Sequence, residues 1–348
     1  MKQTKGRILY FDVLNIVAIM AVILLHHNGL VHKYSAGMTA AWSQALIVEV
    51  VAFFAVPIFL MISGATLMEY RKRYDTRTFF KKRLTRVLVP FIIWSIITFI
   101  YALWRGRYVL DQLSFTKVWD IFMTSDMMSI YWFFPVIISI YLAMPILSLL
   151  TERVNRKWLW YMVAVGLITY SILPPICKLL GLSFNSSYAL PLTAGFVIFP
   201  ILGYLLATDK VKRKWLIAVC LAAVAALVLR YLVTYHLTLR DGSTNYLLSS
   251  YLYFTGVLPA TALFMLVQRI SWDRYIKGKF IDVLAAVSSC SLGIYLIHIL
   301  VMDAELKLFQ MTDDQLLWRV VMPVATYLIC LGIVWIVKKG PVIRHLFP

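Results

Sequence analysis

Residues 8–27 read ILYFDVLNIVAIMAVILLHH, an apolar run that points to the fold of the whole chain. A helix of about 20 apolar residues, rising about 1.5 Å per residue, crosses the hydrocarbon core of a bilayer. The run is too long for the apolar region of a signal peptide, and no convincing cleavage site follows it. We therefore expect a retained first transmembrane helix.

The overall composition agrees with a membrane protein. Of the 348 residues, 61% are hydrophobic and 14% are charged, and the mean hydropathy is +0.81. Soluble domains have roughly 45–50% apolar and about 25% charged residues. The sequence excludes a water-soluble globular protein and predicts an all-α, polytopic integral membrane protein whose partner is the lipid bilayer.

Similar apolar runs recur along the chain and predict about ten transmembrane helices. Their expected positions are 8–30, 44–68, 84–104, 129–150, 158–176, 189–207, 215–235, 247–267, 280–302 and 319–337. No stretch of soluble composition separates them. We therefore expect one transmembrane domain over residues 1–348.

The positive charge of the chain follows membrane topology. The formal net charge is +18, and 25 of the 34 lysines and arginines lie in alternate segments between the predicted helices or at the chain ends. These segments are 1–7, 69–86, 151–157, 208–214, 268–279 and 338–348. Cytoplasmic loops carry such an excess. The pattern predicts that both termini are cytoplasmic, and it argues against nucleic acid as a partner.

Polar residues on the first predicted helix are candidates for chemistry, because such groups are costly in lipid. Asp12, Asn15 and His26 share one helical face, and His27 lies about 100° away from it. His26 is roughly 27 Å above the helix start, near the outer surface. An imidazole there can take a proton from a hydroxyl or carry an acyl group. The alternative is that the histidines only mark the aqueous end of the helix.

A second cluster lies at the predicted cytoplasmic side. Arg83 and Arg86 are three residues apart on one helical face, and two guanidinium groups so placed suit phosphate. The alternative interpretation is that both arginines are ordinary members of the positive excess on the cytoplasmic side. Ser63 and Gly64 interrupt an apolar run nearby. The four cysteines have neither a disulfide framework nor metal-ligand spacing, so we expect no metal site.

The ordered motifs resemble those of acyltransferase family 3, membrane proteins that O-acylate surface polysaccharides and related glycans. The similarity lies in Asp12, Asn15 and His26, in VPIFLMISG with Ser63, in KRLTRVLVP with Arg83 and Arg86, in YWFFPVIISIYLAMP with Trp132 and Tyr141, and in SLGIYLIH with Tyr295 and His298. Asn15 stands where the family has a basic residue. Ile137 and Ile138 replace a glutamate pair of some subfamilies. These features are similar to the single-domain branch.

The resemblance implies a membrane O-acyltransferase of a bacterial plasma membrane, with acyl-CoA, expected to be acetyl-CoA, as donor and a glycan or lipid-linked saccharide as acceptor. It implies that Arg83 and Arg86 hold the CoA phosphates, with Ser63, Trp132, Tyr141 and Tyr295 along the donor path. His26, His298, Asp12 and Asn15 are the implied catalytic group. From the helix lengths alone, His26 and His298 are expected at one level of the membrane.

Two other classes of protein remain open at this point. A transporter or flippase of a lipid-linked glycan is also polytopic and has polar residues within the membrane. Against it, the sequence shows no inverted repeat. A membrane scaffold or sensor would need none of the polar positions for turnover. A homo-oligomer is compatible with each class.

Overall fold

The computed structural model describes residues 7–152, 154–188, 195–340 and 346–347. About 80% of the chain is helical, and the described residues include no β-strand. The main helical segments are, in chain order, α1 (Leu9–His27), α2 (Ala36–Lys72), α3 (Thr76–Trp104), α4 (Ser129–Thr151), α5 (Arg156–Leu179), α6 (Gly195–Thr208), α7 (Arg213–Asp241), α8 (Phe254–Arg269), α9 (Lys279–Ser289), α10 (Ser291–Phe309) and α11 (Met322–Val337). The all-α prediction is confirmed.

Each of the ten predicted segments coincides with helical structure, although residues 189–194 of the sixth lie outside the described residues. Within the described residues, six segments, α1 to α5 and α7, are long and apolar enough to cross a bilayer, and the bent pair of α9 and α10 makes a seventh if it is one span. Helices α6, α8 and α11 are apolar but have only 10–17 residues. The structure supports a multi-pass membrane protein. The count of ten spans and the cytoplasmic position of both termini stay predictions.

Helix α1 lies at the centre of the bundle. It packs against α2, α8, α9, α10 and α11, and its residues Leu14, Ala18 and Ile19 are fully buried. Helix α7 is peripheral and packs on α2 and α8. Because α1 is surrounded, polar side chains on different sides of it meet different helices.

Helices α2 and α6 cross with their backbones in contact at two glycines. A Cβ atom added to Gly64 would collide with the backbone of Pro200, and one added to Gly203 would collide with the backbone of Met61. Small residues allow this close approach in membrane helix packing. The crossing holds the part of α2 that carries Ser63.

Two irregularities occur where polar residues cluster. Helices α9 and α10 meet at Cys290 with a bend of 54°, whereas the sequence predicted one helix over 280–302. In α3, Leu84–Leu88 form a π-helical turn. Such turns and broken membrane helices are concentrated at functional sites.

Candidate functional site

A cavity of about 230 Å³ lies between α1, α2, α3, α4 and the bend of α9 and α10. Its polar lining consists of Asn15, Ser63, Thr66, Arg83, Arg86, Tyr141, Ser288, Ser289, Ser291 and Tyr295. Six of these are among the ten site residues predicted from the sequence. The fold therefore brings together side chains that the sequence placed on separate segments.

The lining of the cavity is strongly positive. Arg83 and Arg86 both belong to it, and the ammonium group of Lys338 contacts Ser289, another lining residue. Neither arginine forms a salt bridge with a carboxylate anywhere in the described parts of the chain. Two guanidinium groups without a counter-charge suit an anion with several oxygens.

The bend between α9 and α10 supplies another wall of the cavity. Asn15 Nδ2 donates hydrogen bonds to the Ser288 backbone oxygen at 2.8 Å and to Ser288 Oγ at 3.0 Å. Lys338 Nζ donates to the Ser289 backbone oxygen at 3.0 Å. Such bonds provide hydrogen-bond partners for backbone carbonyls that lose their own partners where a membrane helix is broken. Asn15 therefore fastens the bend to α1.

The two histidines predicted to act together are adjacent. The ring centroids of His26 and His298 lie 5.2 Å apart, which confirms that α1 and α10 bring them to one level. His298 Nδ1 lies 2.8 Å from the backbone oxygen of Tyr295 and 3.2 Å from that of Ile294. A carbonyl only accepts, so Nδ1 carries the proton and Nε2 is an acceptor. This Nε2 is buried and has no hydrogen-bond partner among the described residues.

Tyr295 links the cavity to the histidine pair. It lines the cavity, and its ring centroid lies 5.7 Å from that of His298. Its hydroxyl donates to the backbone oxygen of Ile130, which holds α10 against the start of α4. The three residues from Tyr295 to His298 rise by about 4.5 Å. Tyr295 therefore joins the cavity that holds the arginine pair to the two imidazoles.

His27 points away from His26, as the 100° offset predicted, but it does not face solvent. Its ring is fully buried and lies 4.2 Å from the ring of Trp318 between centroids. Its Nε2 lies 2.8 Å from Thr326 Oγ1 on α11. The interpretation of His27 as a mere marker of the aqueous helix end is therefore wrong.

Two predicted site residues lie away from the cavity and the histidines. Asp12 forms two hydrogen bonds of 2.6 Å with Arg7, and 14 residues of α1, about 21 Å, separate it from His26. Trp132 stacks on Tyr251 with 5.8 Å between ring centroids and is not part of the cavity lining. Asp12 anchors the start of α1, and Trp132 belongs to a separate aromatic cluster.

Sequence reasoning missed the serines of the bend and the contact of Thr326 with His27. The run SSCS at residues 288–291 was a usable signal, because consecutive small polar side chains compete for backbone hydrogen bonds and weaken a helix. Thr326 gave no such signal, since one threonine in an apolar helix carries no information about its neighbours.

Comparison with known proteins identifies a family. Residues 8–337, nearly the whole chain, match the family model described as an acyltransferase domain. No curated protein and no solved structure matches the chain significantly. The match and the apolar helices together indicate a membrane acyltransferase. The chain belongs to acyltransferase family 3.

Proposed function

We propose that this protein transfers an acyl group, expected to be acetyl, from acyl-CoA at the cytoplasmic side to a hydroxyl of a cell-surface glycan. One observation carries this proposal. An arginine pair without a counter-charge opens into a polar cavity, and Tyr295 at another point of its lining adjoins the His26–His298 pair. A thioester anchored by its phosphates at the arginines directs its acyl group toward the imidazoles.

Arg83 and Arg86 are the proposed ligands of the CoA phosphates, since guanidinium binds phosphate oxygens through two parallel hydrogen bonds. The cavity of about 230 Å³ is smaller than the roughly 300–1,000 Å³ of a typical ligand site. We expect it to hold the narrow pantetheine arm, whose amides match the hydroxyls of Ser63, Tyr141 and the serines of the bend. The nucleotide then stays at the cytoplasmic mouth.

The histidine pair is the proposed catalytic centre. His298 Nε2 is an acceptor, so it can accept a hydrogen bond from the protonated ring nitrogen of His26. The other ring nitrogen of His26 then carries no proton and can act as the base. Catalytic hydrogen bonds often tighten only when substrate is bound, and the 5.2 Å between the ring centroids allows this closure. His26 is the more exposed of the two imidazoles, and we therefore propose that it is the one that meets the substrates.

The chemical step follows from this arrangement. The acceptor oxygen attacks the thioester carbonyl carbon while its proton passes to His26. The carbon–oxygen bond forms, the carbon–sulfur bond breaks, and the CoA thiolate takes the proton from His26 to leave as a thiol. His298 touches no reacting atom and acts as a positioning residue.

Trp132 belongs to an aromatic stack that lies outside the cavity lining. The ring of Trp132 stacks on Tyr251, which lies 4.1 Å from Phe53 between centroids and nearly parallel to it. The Arg230 guanidinium lies 3.7 Å above the Phe53 ring. Arg230 is buried, and its guanidinium donates to Glu49 Oε1 at 3.4 Å, so the stacked ring faces and this cation already have partners within the protein. The proposed glycan acceptor is therefore supported by the family to which the chain belongs and not by this stack.

Acyl transfer across sealed inverted vesicles tests the proposal. Radiolabelled acetyl-CoA is added outside, at the original cytoplasmic face, and the glycan acceptor is enclosed in the lumen. We expect protein-dependent label in the glycan, with no label from vesicles made without the protein. Movement of a lipid-linked glycan without labelling would instead indicate a transporter, and neither activity would indicate a scaffold or a sensor.

Alanine at Arg83 or Arg86 is expected to raise the KM for acyl-CoA about 10- to 100-fold with little change in kcat. A hydrogen bond to a charged group contributes about 1.5–3 kcal/mol to binding, and these bonds form before the chemical step. Lysine should restore binding only in part, since it lacks the planar fork. The measurement is transfer rate against acyl-CoA concentration at matched protein levels.

Lys81→Ala is the matched control for this pair. Lys81 belongs to the same basic segment but does not line the cavity. We expect a wild-type KM for this variant. An unchanged KM in both arginine variants would show that Arg83 and Arg86 do not bind acyl-CoA and only contribute to the positive charge that sets membrane topology.

A further inference from the structure

Three buried polar side chains form a network beside the histidine pair. His27 on α1, Glu305 on α10 and Thr326 on α11 are 0%, 4% and 0% exposed. The Thr326 hydroxyl donates to Glu305 Oε2 at 2.5 Å, and His27 Nε2 lies 2.8 Å from Thr326 Oγ1. Because the hydroxyl proton points to the carboxylate, Thr326 accepts from His27. This polar network connects an imidazole to a carboxylate through one hydroxyl.

The glutamate is a costly group at this position. Glu305 forms no salt bridge within the described residues, and its Oε1 has no hydrogen-bond partner there. A buried carboxylate without a counter-charge is unfavourable in a membrane protein and usually marks a functional site. The network contains one group that can become positive, His27, whose Nδ1 is also buried without a partner. The network is therefore suited to respond to a positive charge.

The proposed catalytic centre is the nearest place where such a charge arises. His27 follows His26 directly in the sequence, and the ring of His26 lies 5.2 Å from that of His298 between centroids. The indole of Trp318 covers the His27 ring, which keeps the network buried. Charges in such an interior act over longer distances than in water because screening is weak.

We propose that Glu305, held through Thr326 and His27, supplies the negative charge that compensates the imidazolium formed during acyl transfer. This inference rests on the proposed function. When the acceptor oxygen attacks the thioester carbon, its proton passes to His26, which is positive until the departing CoA thiolate takes that proton. Glu305 and Thr326 touch neither substrate and are positioning residues. Their effect is confined to this step, so they act on kcat and not on acyl-CoA binding.

The test compares steady-state acyl transfer by Glu305→Gln and the wild type. Glutamine keeps the shape of glutamate and removes its charge. We expect kcat to fall roughly ten-fold, within the range for residues coupled in one network, with the KM for acyl-CoA unchanged. Thr326→Val should cause a similar loss, because it interrupts the network without changing the side-chain shape. Thr326→Ser should restore the rate.

The double variant Glu305→Gln with Thr326→Val separates this role from independent packing effects. If both residues act through one network, the double variant loses no more than either single variant. Additive losses, a wild-type kcat in Glu305→Gln, or an equal change in KM would overturn the inference. If Glu305→Gln failed to fold by size-exclusion profile, the comparison of Thr326→Val with Thr326→Ser would decide.

Asp303→Asn is the matched control. Asp303 lies two residues earlier on α10 and accepts a hydrogen bond from the Tyr101 hydroxyl at 2.9 Å, outside the network. We expect it to keep the wild-type kcat, and a loss equal to that of Glu305→Gln would overturn the inference. Absence of transfer by the wild type would overturn the proposed function itself, and this inference with it.

Discussion

His26→Ala is expected to lower glycan acylation roughly 10²–10⁴-fold, the usual loss when a general base is removed. His26 is the half-buried member of a pair whose ring centroids lie 5.2 Å apart. It is the more exposed of the two rings, since His298 is fully buried. The measurement is transfer of labelled acetyl to glycan in membranes with matched protein levels. A wild-type size-exclusion profile in detergent shows that the variant is folded.

The control for His26 is His236→Ala. His236 is an exposed histidine on α7, with ring contacts only to Tyr235 among the described aromatic residues. It should retain wild-type transfer. His27→Ala is unsuitable as a control, because loss of this buried ring leaves a void and an unpaired Thr326 hydroxyl. Near-wild-type transfer by His26→Ala would remove His26 from the mechanism.

Hydropathy predicted where the helices lie, because the lipid interior requires long apolar runs whatever the tertiary packing. Because hydropathy is averaged over a window of residues, it does not reveal a break within an apolar run. The run over 280–302 scores as one span, although α9 and α10 meet at 54°. What distinguishes a bend from a straight helix is a set of distant hydrogen bonds, such as that from Asn15 to Ser288.

Helical periodicity predicted relative angles but not which face meets which neighbour. It placed His26 and His27 about 100° apart, and the structure agrees. Only the packing shows that His26 faces His298 while His27 faces Trp318 and Thr326. Periodicity therefore found the members of the site and could not assign their partners.

Asp12 illustrates the same limit. It shares a helical face with His26, yet its carboxylate binds Arg7 five residues earlier. A short side chain on a helix reaches only neighbours within about one turn, and about 21 Å separates it from His26 along the axis. A shared face therefore does not make a shared site.

His298→Asn is expected to lower acyl transfer by a comparable factor, about 10²–10⁴-fold, since misorienting a catalytic histidine costs up to about 10⁴-fold in well-studied triads. The asparagine amide can take the place of Nδ1–H and donate to the Tyr295 backbone oxygen, which His298 Nδ1 approaches to 2.8 Å. The fold of α10 is therefore expected to persist. The missing group is Nε2, the proposed acceptor for the N–H of His26.

Two further measurements distinguish a role of His298 in orienting His26 from a role in binding acyl-CoA: the rate of His298→Gln and the KM for acyl-CoA. A glutamine amide oxygen can reach the Nε2 position and accept the N–H of His26, so it should recover part of the rate that asparagine loses. Because His298 is not part of the cavity lining that contains the arginine pair, the KM for acyl-CoA should stay near the wild-type value in both variants. Full activity of His298→Asn would show that His26 works alone. A raised KM with an unchanged kcat would show that His298 helps to bind acyl-CoA and does not orient His26. The reason is that only interactions made in the transition state, and absent from the ground state, act selectively on kcat.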